Sequence, residues 1–108
     1  MNIITANTET IPGREVVKHL GLVRGNTVRA RNIGSDIGAS LKSLIGGKIG
    51  GYIKVMTEAR NEATEEMLKE AEALGADAVV NIRYATSQVM PQAAEILAYG
   101  TAVKLAEE

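Results

Sequence analysis

Cysteine is absent from the 108 residues, which removes disulfides, thiolate nucleophiles and every cysteine-based zinc site together. Tryptophan and phenylalanine are absent as well, leaving Tyr52, Tyr84 and Tyr99 as the only aromatic residues, 3% of the chain. So few rings nearly exclude stacking platforms for single-stranded bases or for a flavin. Histidine occurs once, at His19, and proline twice, at Pro12 and Pro91. Twelve basic against 13 acidic side chains leave a net charge of −1, with no general attraction to nucleic acid or to anionic membranes. No apolar run approaches the ~20 residues that span a bilayer. Residues 1–5 lack the basic leader and apolar core of a signal peptide. A soluble, cytoplasmic protein is the expectation.

What is present suits one small domain over residues 1–108, with 45% hydrophobic and 23% charged residues. A chain of this size has a modest core, which oligomerisation would help. Residues 2–6 are a short strand candidate, and Ile11-Pro12-Gly13 is a turn signal. Residues 15–32 mix β-branched and charged residues. They read either as a hairpin turning at Gly25-Asn26 or as one long strand, kinked or bulged at Gly21 and Gly25. Ser35-Asp36 is a good N-cap site, followed by Ile37, Leu41, Leu44 and Ile45 at helical spacing. That helix should stop in the glycine cluster of residues 46–51. A second helix should run from Ile53 to Leu74, with Met56, Ala59, Ala63, Met67, Ala71 and Leu74 on one buried stripe and Gly75 past its end. Two strands follow, residues 78–84 and 96–104, with residues 87–94 as a hairpin loop. The order β-α-α-β-β predicts an α+β domain with helices on one face of a small antiparallel sheet.

Five separated segments then line up in order: Gly21-Leu22-Val23-Arg24-Gly25, Gly46-Gly47-Lys48-Ile49-Gly50-Gly51-Tyr52, Ala59-Arg60, residues 74–80 (Leu74 to Val80) and Gly100-Thr101-Ala102-Val103. Through them nearly the whole chain resembles the YbjQ-like family of small bacterial and archaeal proteins. The resemblance implies a dodecin-like subunit, residues 15–32 as one long strand, and assembly into a homopentameric ring. It brings no catalytic residues, and it brings the label of heavy-metal binding. Ala30-Arg31-Asn32 and the loop Met90-Pro91-Gln92-Ala93 depart from the common pattern.

The donor set argues against a soft-metal site in one subunit, because such sites need thiolates or clustered imidazoles. The residues nearest to a metal role are His19, which would recur once per subunit in a ring, and Glu62 and Glu66. Those two belong to a carboxylate ridge, Glu58-Glu62-Glu66-Glu70, at i,i+4 spacing. Like charges so placed destabilise a helix by roughly 0.2–0.5 kcal/mol per pair. The ridge is a solvated face, or it meets a basic surface such as Arg29 and Arg31 of a neighbouring subunit, or it holds a hard cation. Gly46, Gly47, Lys48 and Gly50 are a candidate anion nest, against the plainer reading that these glycines let two helices meet closely. They fail the P-loop pattern, and Gly38-Ala39-Ser40-Leu41-Lys42 fails the nucleophile elbow. Tyr84 and Tyr99 can pair across the last hairpin or close a pocket between subunits, and Tyr99, Arg29 and Arg31 are the candidate interface residues.

The sequence therefore predicts no catalytic residues and no resident cofactor, with a divalent metal the one candidate. Its expected partner is itself, as a homo-oligomer and most simply a pentamer, with neither nucleic acid nor membrane. The expected function is that of a ring-forming non-enzyme. A binding module for a metal ion or small anion at subunit interfaces is the alternative, and a small hydrolase a distant third.

Overall fold

Backbone pairing over unusual lengths dominates this chain. The computed structural model describes residues 2–30, 50–90 and 93–107. They form β1 (Ile4–Thr5), β2 (Val16–Ala30), α1 (Gly50–Ala73), β3 (Ala78–Met90) and β4 (Ala93–Leu105). One sheet has the order β1-β3-β4-β2. β4 pairs antiparallel with both β2 and β3, while β1 runs parallel to β3. The sheet is thus mixed, which corrects the expected antiparallel one. The short N-terminal strand is held by its backbone: the Ile4 N–H donates to the Asp77 carbonyl at 3.1 Å and the Ala6 N–H to that of Val79 at 3.0 Å. One helix, α1, packs on the sheet; the helix expected near residues 35–45 lies outside the described residues. No helix among the described residues is long and apolar enough to cross a membrane.

Residues 16–30 are one continuous strand, so the hairpin reading is set aside. Its register against β4 shifts twice, between Val16 and Lys18 and between His19 and Gly21, and Gly21 takes a φ of 122°. Gly25 is not a bulge, since the pairing continues through it from Arg24↔Tyr99 to Asn26↔Leu97. β3 and β4 outrun their expected bounds, and residues 87–90 and 93–94 are strand rather than loop. Thr86, Ser87 and Gln88 carry no apolar alternation because they are exposed on both faces. Their order comes from cross-strand pairing with Ile96, Glu95 and Ala94.

The two sheet faces have different fates. On one, Val23, Ile96, Ala98, Ala102, Val79 and Ile82 form a core with Ala59, Ala63, Met67 and Ala71 of the helix. Among the described residues the other is covered near one end, where Ile11 and Val16 pack against Ala78, Val80, Val103 and Leu105. The helical stripe reads as expected through Ala71. Leu74 departs from it, being exposed just beyond the last turn. The helix also begins at Gly50, three residues before the expected Ile53, so Gly50 opens a helix rather than lying in a turn. Glycine costs little at a helix N-terminus, where backbone N–H groups lack intrahelical partners anyway. At the other end the Gly75 N–H bonds the Glu72 carbonyl at 2.9 Å and the Ala76 N–H that of Ala71 at 3.1 Å. This is a Schellman cap, and it needs the left-handed φ of 78° that Gly75 supplies.

Alanines alone do not explain how close α1 lies. Gly25 sits beneath the helix, and a Cβ there would overlap the Ala63 carbonyl oxygen and lie 2.5 Å from the Met67 backbone nitrogen and 2.6 Å from the Glu66 Cβ. Helix backbone and strand backbone are in direct contact. Gly25→Ala must push the helix off the sheet, and a loss of about 3 kcal/mol or more in urea unfolding is expected, at the upper end of overpacking costs. A loss below about 1 kcal/mol would show that the helix shifts freely.

Beyond the cap, Asp77 ties the start of β3 to the end of β4. Its backbone N–H donates to the Val103 carbonyl at 2.9 Å. Its carboxylate accepts the Leu105 N–H at 2.9 Å and lies 3.4 Å from the Lys104 ammonium, which also reaches the Gly75 carbonyl at 3.1 Å. The Leu105 N–H holds the carboxyl below the ordinary aspartate range, opposed by desolvation and helped by Lys104 and Arg14. A depressed folded-state pKa gives stability that is present above about pH 4, the unfolded value, and is lost as pH falls through the folded value. Thermal melts between pH 7 and pH 2 should therefore show a stability gap between wild type and Asp77→Asn that closes below about pH 4. A gap constant across that range would exclude the carboxylate as its source.

Candidate functional site

The sheet face opposite α1 presents cross-strand rows. Register sets Arg24, Tyr99 and Arg83 side by side on β2, β4 and β3, then Asn26, Leu97 and Ala85, then Val28, Glu95 and Ser87. Leu22 is 60% exposed and Val28 50% exposed on this face. Glu95 joins three strands, accepting from Asn26 Nδ2 at 3.0 Å and from Ser87 Oγ at 3.5 Å. Tyr99, expected at an interface, is half-buried in the middle of the face with an arginine on either side.

Tyr84 belongs to the opposite face, which corrects the expected tyrosine pair. Its register partner is Ala98, and its hydroxyl lies 2.8 Å from Thr64 Oγ1 on the helix. Thr64 already donates to the Arg60 carbonyl at 2.7 Å. The Tyr84 hydroxyl must therefore be the donor in this contact.

Arg83 is held by a feature that went unread in the sequence. Between Val80 and Arg83 the register slips, and Asn81 takes a φ of 54°. Asparagine tolerates this conformation better than most residues, which was the available signal. The bulge turns two N–H groups toward the N-terminal segment, Asn81 to the Thr8 carbonyl at 3.0 Å and Ile82 to that of Ala6 at 3.1 Å. Arg83 Nη1 then donates to the Asn7 carbonyl at 2.7 Å and to the Ile82 carbonyl at 3.0 Å. An open groove beside it is lined by Thr5, Ala6, Asn7, Ile82 and Tyr84.

At the far edge of the sheet, a second groove separates α1 from β2. Glu62, Glu65, Glu66 and Lys69 line it from the helix, and Asn26 and Thr27 from the strand. Three carboxylates against one ammonium make it acidic. The ridge is not uniform: Glu70 Oε1 accepts the backbone N–H of Arg24 at 3.3 Å, covering part of an exposed strand edge. Among the described residues, no group of three or more His, Asp or Glu side chains converges closely enough to hold a metal ion. His19 stands exposed on β2 opposite Val103, away from the groove that holds Glu62 and Glu66. Met67 is fully buried and Met56 half-buried, so both serve packing. Arg29 lies in β2, where its backbone pairs with Ala94 of β4. Arg31, Gly46, Gly47 and Lys48 lie outside the described residues.

Comparison with known proteins agrees on one family. Residues 3–106 match the YbjQ family, described as "Putative heavy-metal-binding". A "UPF0145 protein" of Halorubrum lacusprofundi is 60% identical over 100 residues, covering 93% of this chain and 96% of that protein. One of Archaeoglobus fulgidus is 58% identical over 103 residues, covering 95% of each. A crystal structure of a protein of unknown function in the DUF74 family, from Pediococcus pentosaceus, superposes with a TM-score of 0.69 over 98% of this chain and 100% of that one. At 14% identity it speaks for the fold alone. With a family match across nearly all of its length and relatives identical at more than half of the aligned positions, this chain belongs to the YbjQ family.

Proposed function

We propose that this chain is a non-enzymatic, cytoplasmic subunit of a homo-oligomeric, dodecin-like ring, most simply of five copies. The observation that carries the reading is the sheet face that no helix covers among the described residues, with Leu22 and Val28 largely exposed on it. Shape supports it. The radius of gyration is 17.0 Å, against about 13 Å for a compact chain of about 100 residues. The chain exposes 7044 Å². A compact protein of this mass exposes about 5,800 Å². Both quantities describe a chain more extended than a compact monomer of its mass. Light scattering at micromolar concentration should give a multimer mass, and native mass spectrometry should count five subunits. A monomer at that concentration overturns the reading.

A binding module for a metal ion or small anion at subunit interfaces is the second reading, favoured by the family description. It requires donors from more than one copy, since one subunit brings a single imidazole and no thiolate. Zinc and copper should therefore bind this chain more weakly than micromolar in calorimetry of chelator-treated protein. A sub-micromolar site that persists in His19→Ala would reverse that expectation and favour the binding module.

A further inference from the structure

The two grooves lie at opposite edges of one sheet and carry opposite charge. At the β1 and β3 edge, Nη1 of Arg83 is anchored on two carbonyl oxygens, 2.7 and 3.0 Å away. That anchoring fixes the plane of the guanidinium. Its Nε and Nη2 have no partner among the described residues, and this is the side that pairs with a carboxylate in a fork. At the β2 edge, the groove lined by Glu65 and Glu66 also contains Thr27, which is only 9% exposed. The Thr27 hydroxyl has no hydrogen-bond partner among the described residues and keeps access to the groove, where it can accept an N–H. No three acidic groups converge there on a metal-sized point, so the groove suits an elongated, multi-donor cation better than a bare ion.

A guanidinium is such a cation, and the chain itself carries one at the other edge. We propose that the acidic groove between α1 and β2 of one copy receives Arg83 of the next copy, head to tail. Glu66 and Glu65 take the free side of the guanidinium, and the Thr27 hydroxyl accepts from it. This rests on the self-assembly reading above and assigns its contact. Because the complementary patches sit at different places on one chain, the contact is heterologous, and repeated rotation closes a ring instead of a two-fold dimer. The same contact brings the helix side of one subunit toward the Arg24-Tyr99-Arg83 row of its neighbour, which would cover the open face. Charge complementarity identifies the occupant as a second copy: the patch lacks the breadth of positive charge that nucleic acid needs, since the chain is near neutral overall.

The test is a charge exchange read by sedimentation velocity, with circular dichroism melts to check folding. Glu66 and Arg83 are both exposed, so substitution should leave the subunit folded. Arg83→Glu and Glu66→Arg should each raise the dissociation midpoint by about tenfold or more, as expected for breaking a close charge pair. The chain carrying both substitutions should regain the wild-type mass, and the two single variants mixed should associate with each other. Arg83→Gln serves if the reversal at position 83 loosens the N-terminal segment, and it should also weaken assembly. A multimeric wild type whose single variants keep its mass would overturn this contact while leaving self-assembly standing. Weakened single variants that the double exchange does not rescue would overturn it equally. A monomeric wild type would overturn both readings.

Discussion

The contact on which the rest of the structure depends is that of the helix backbone with the bare strand at Gly25. With no Cβ in the way, α1 settles until Ala63 and Met67 touch β2 through main-chain atoms. Small residues at Ala59, Ala63 and Ala71 keep that depth along the stripe. A helix seated so far to one side reaches over the sheet edge, which is why Glu70 can accept an N–H from Arg24. It also lies mainly on β2 and β4, so that Tyr84 on β3 must stretch to Thr64 with its hydroxyl. Dispersion and burial hold the centre of the interface, and two polar links pin its margins.

Charge is sorted by the same geometry. The helix keeps its carboxylates on the solvent side toward β2, while the open face carries Arg24 and Arg83 around Tyr99. A near-zero net charge therefore conceals two patches of opposite sign. Composition alone averages them away, so it speaks to solubility and to nucleic acid but not to contacts between copies.

What could be read in the sequence was whatever a repeating pattern records. The stripe Ala59-Ala63-Met67-Ala71, the cap at Gly75 and the single strand implied by the family resemblance all appear in the structure. Missing were features set by pairing between distant segments. The extension of β3 through Gln88 leaves no mark because its side chains face water on both sides, and only the backbone partner orders them. The parallel seat of β1 beside Ala78 and Val79 depends on a strand more than seventy positions away. At the candidate site the carboxylates at Glu62 and Glu66 were legible as a ridge. Arg83 was not, since its role comes from the bulge at Asn81 and from the Asn7 carbonyl. The glycine at position 25 reads in the sequence as a turn, kink or bulge, because a close approach and a bend leave the same letter in a strand.

The separation of Tyr84 and Tyr99 onto opposite faces has an optical consequence. Without tryptophan, the near-ultraviolet absorption and emission of this protein come from tyrosine alone. The Tyr84 ring reports whether its hydroxyl is donating to Thr64, and hence whether the helix is seated on the sheet. Tyr99, flanked in register by Arg24 and Arg83 on the other face, reports the polarity around that face. Subtracting the spectrum of a Tyr84→Phe or Tyr99→Phe chain from that of the wild type isolates each ring. Docking of the helix and covering of the sheet thus have separate intrinsic chromophores, and their order during folding can be followed without an added label.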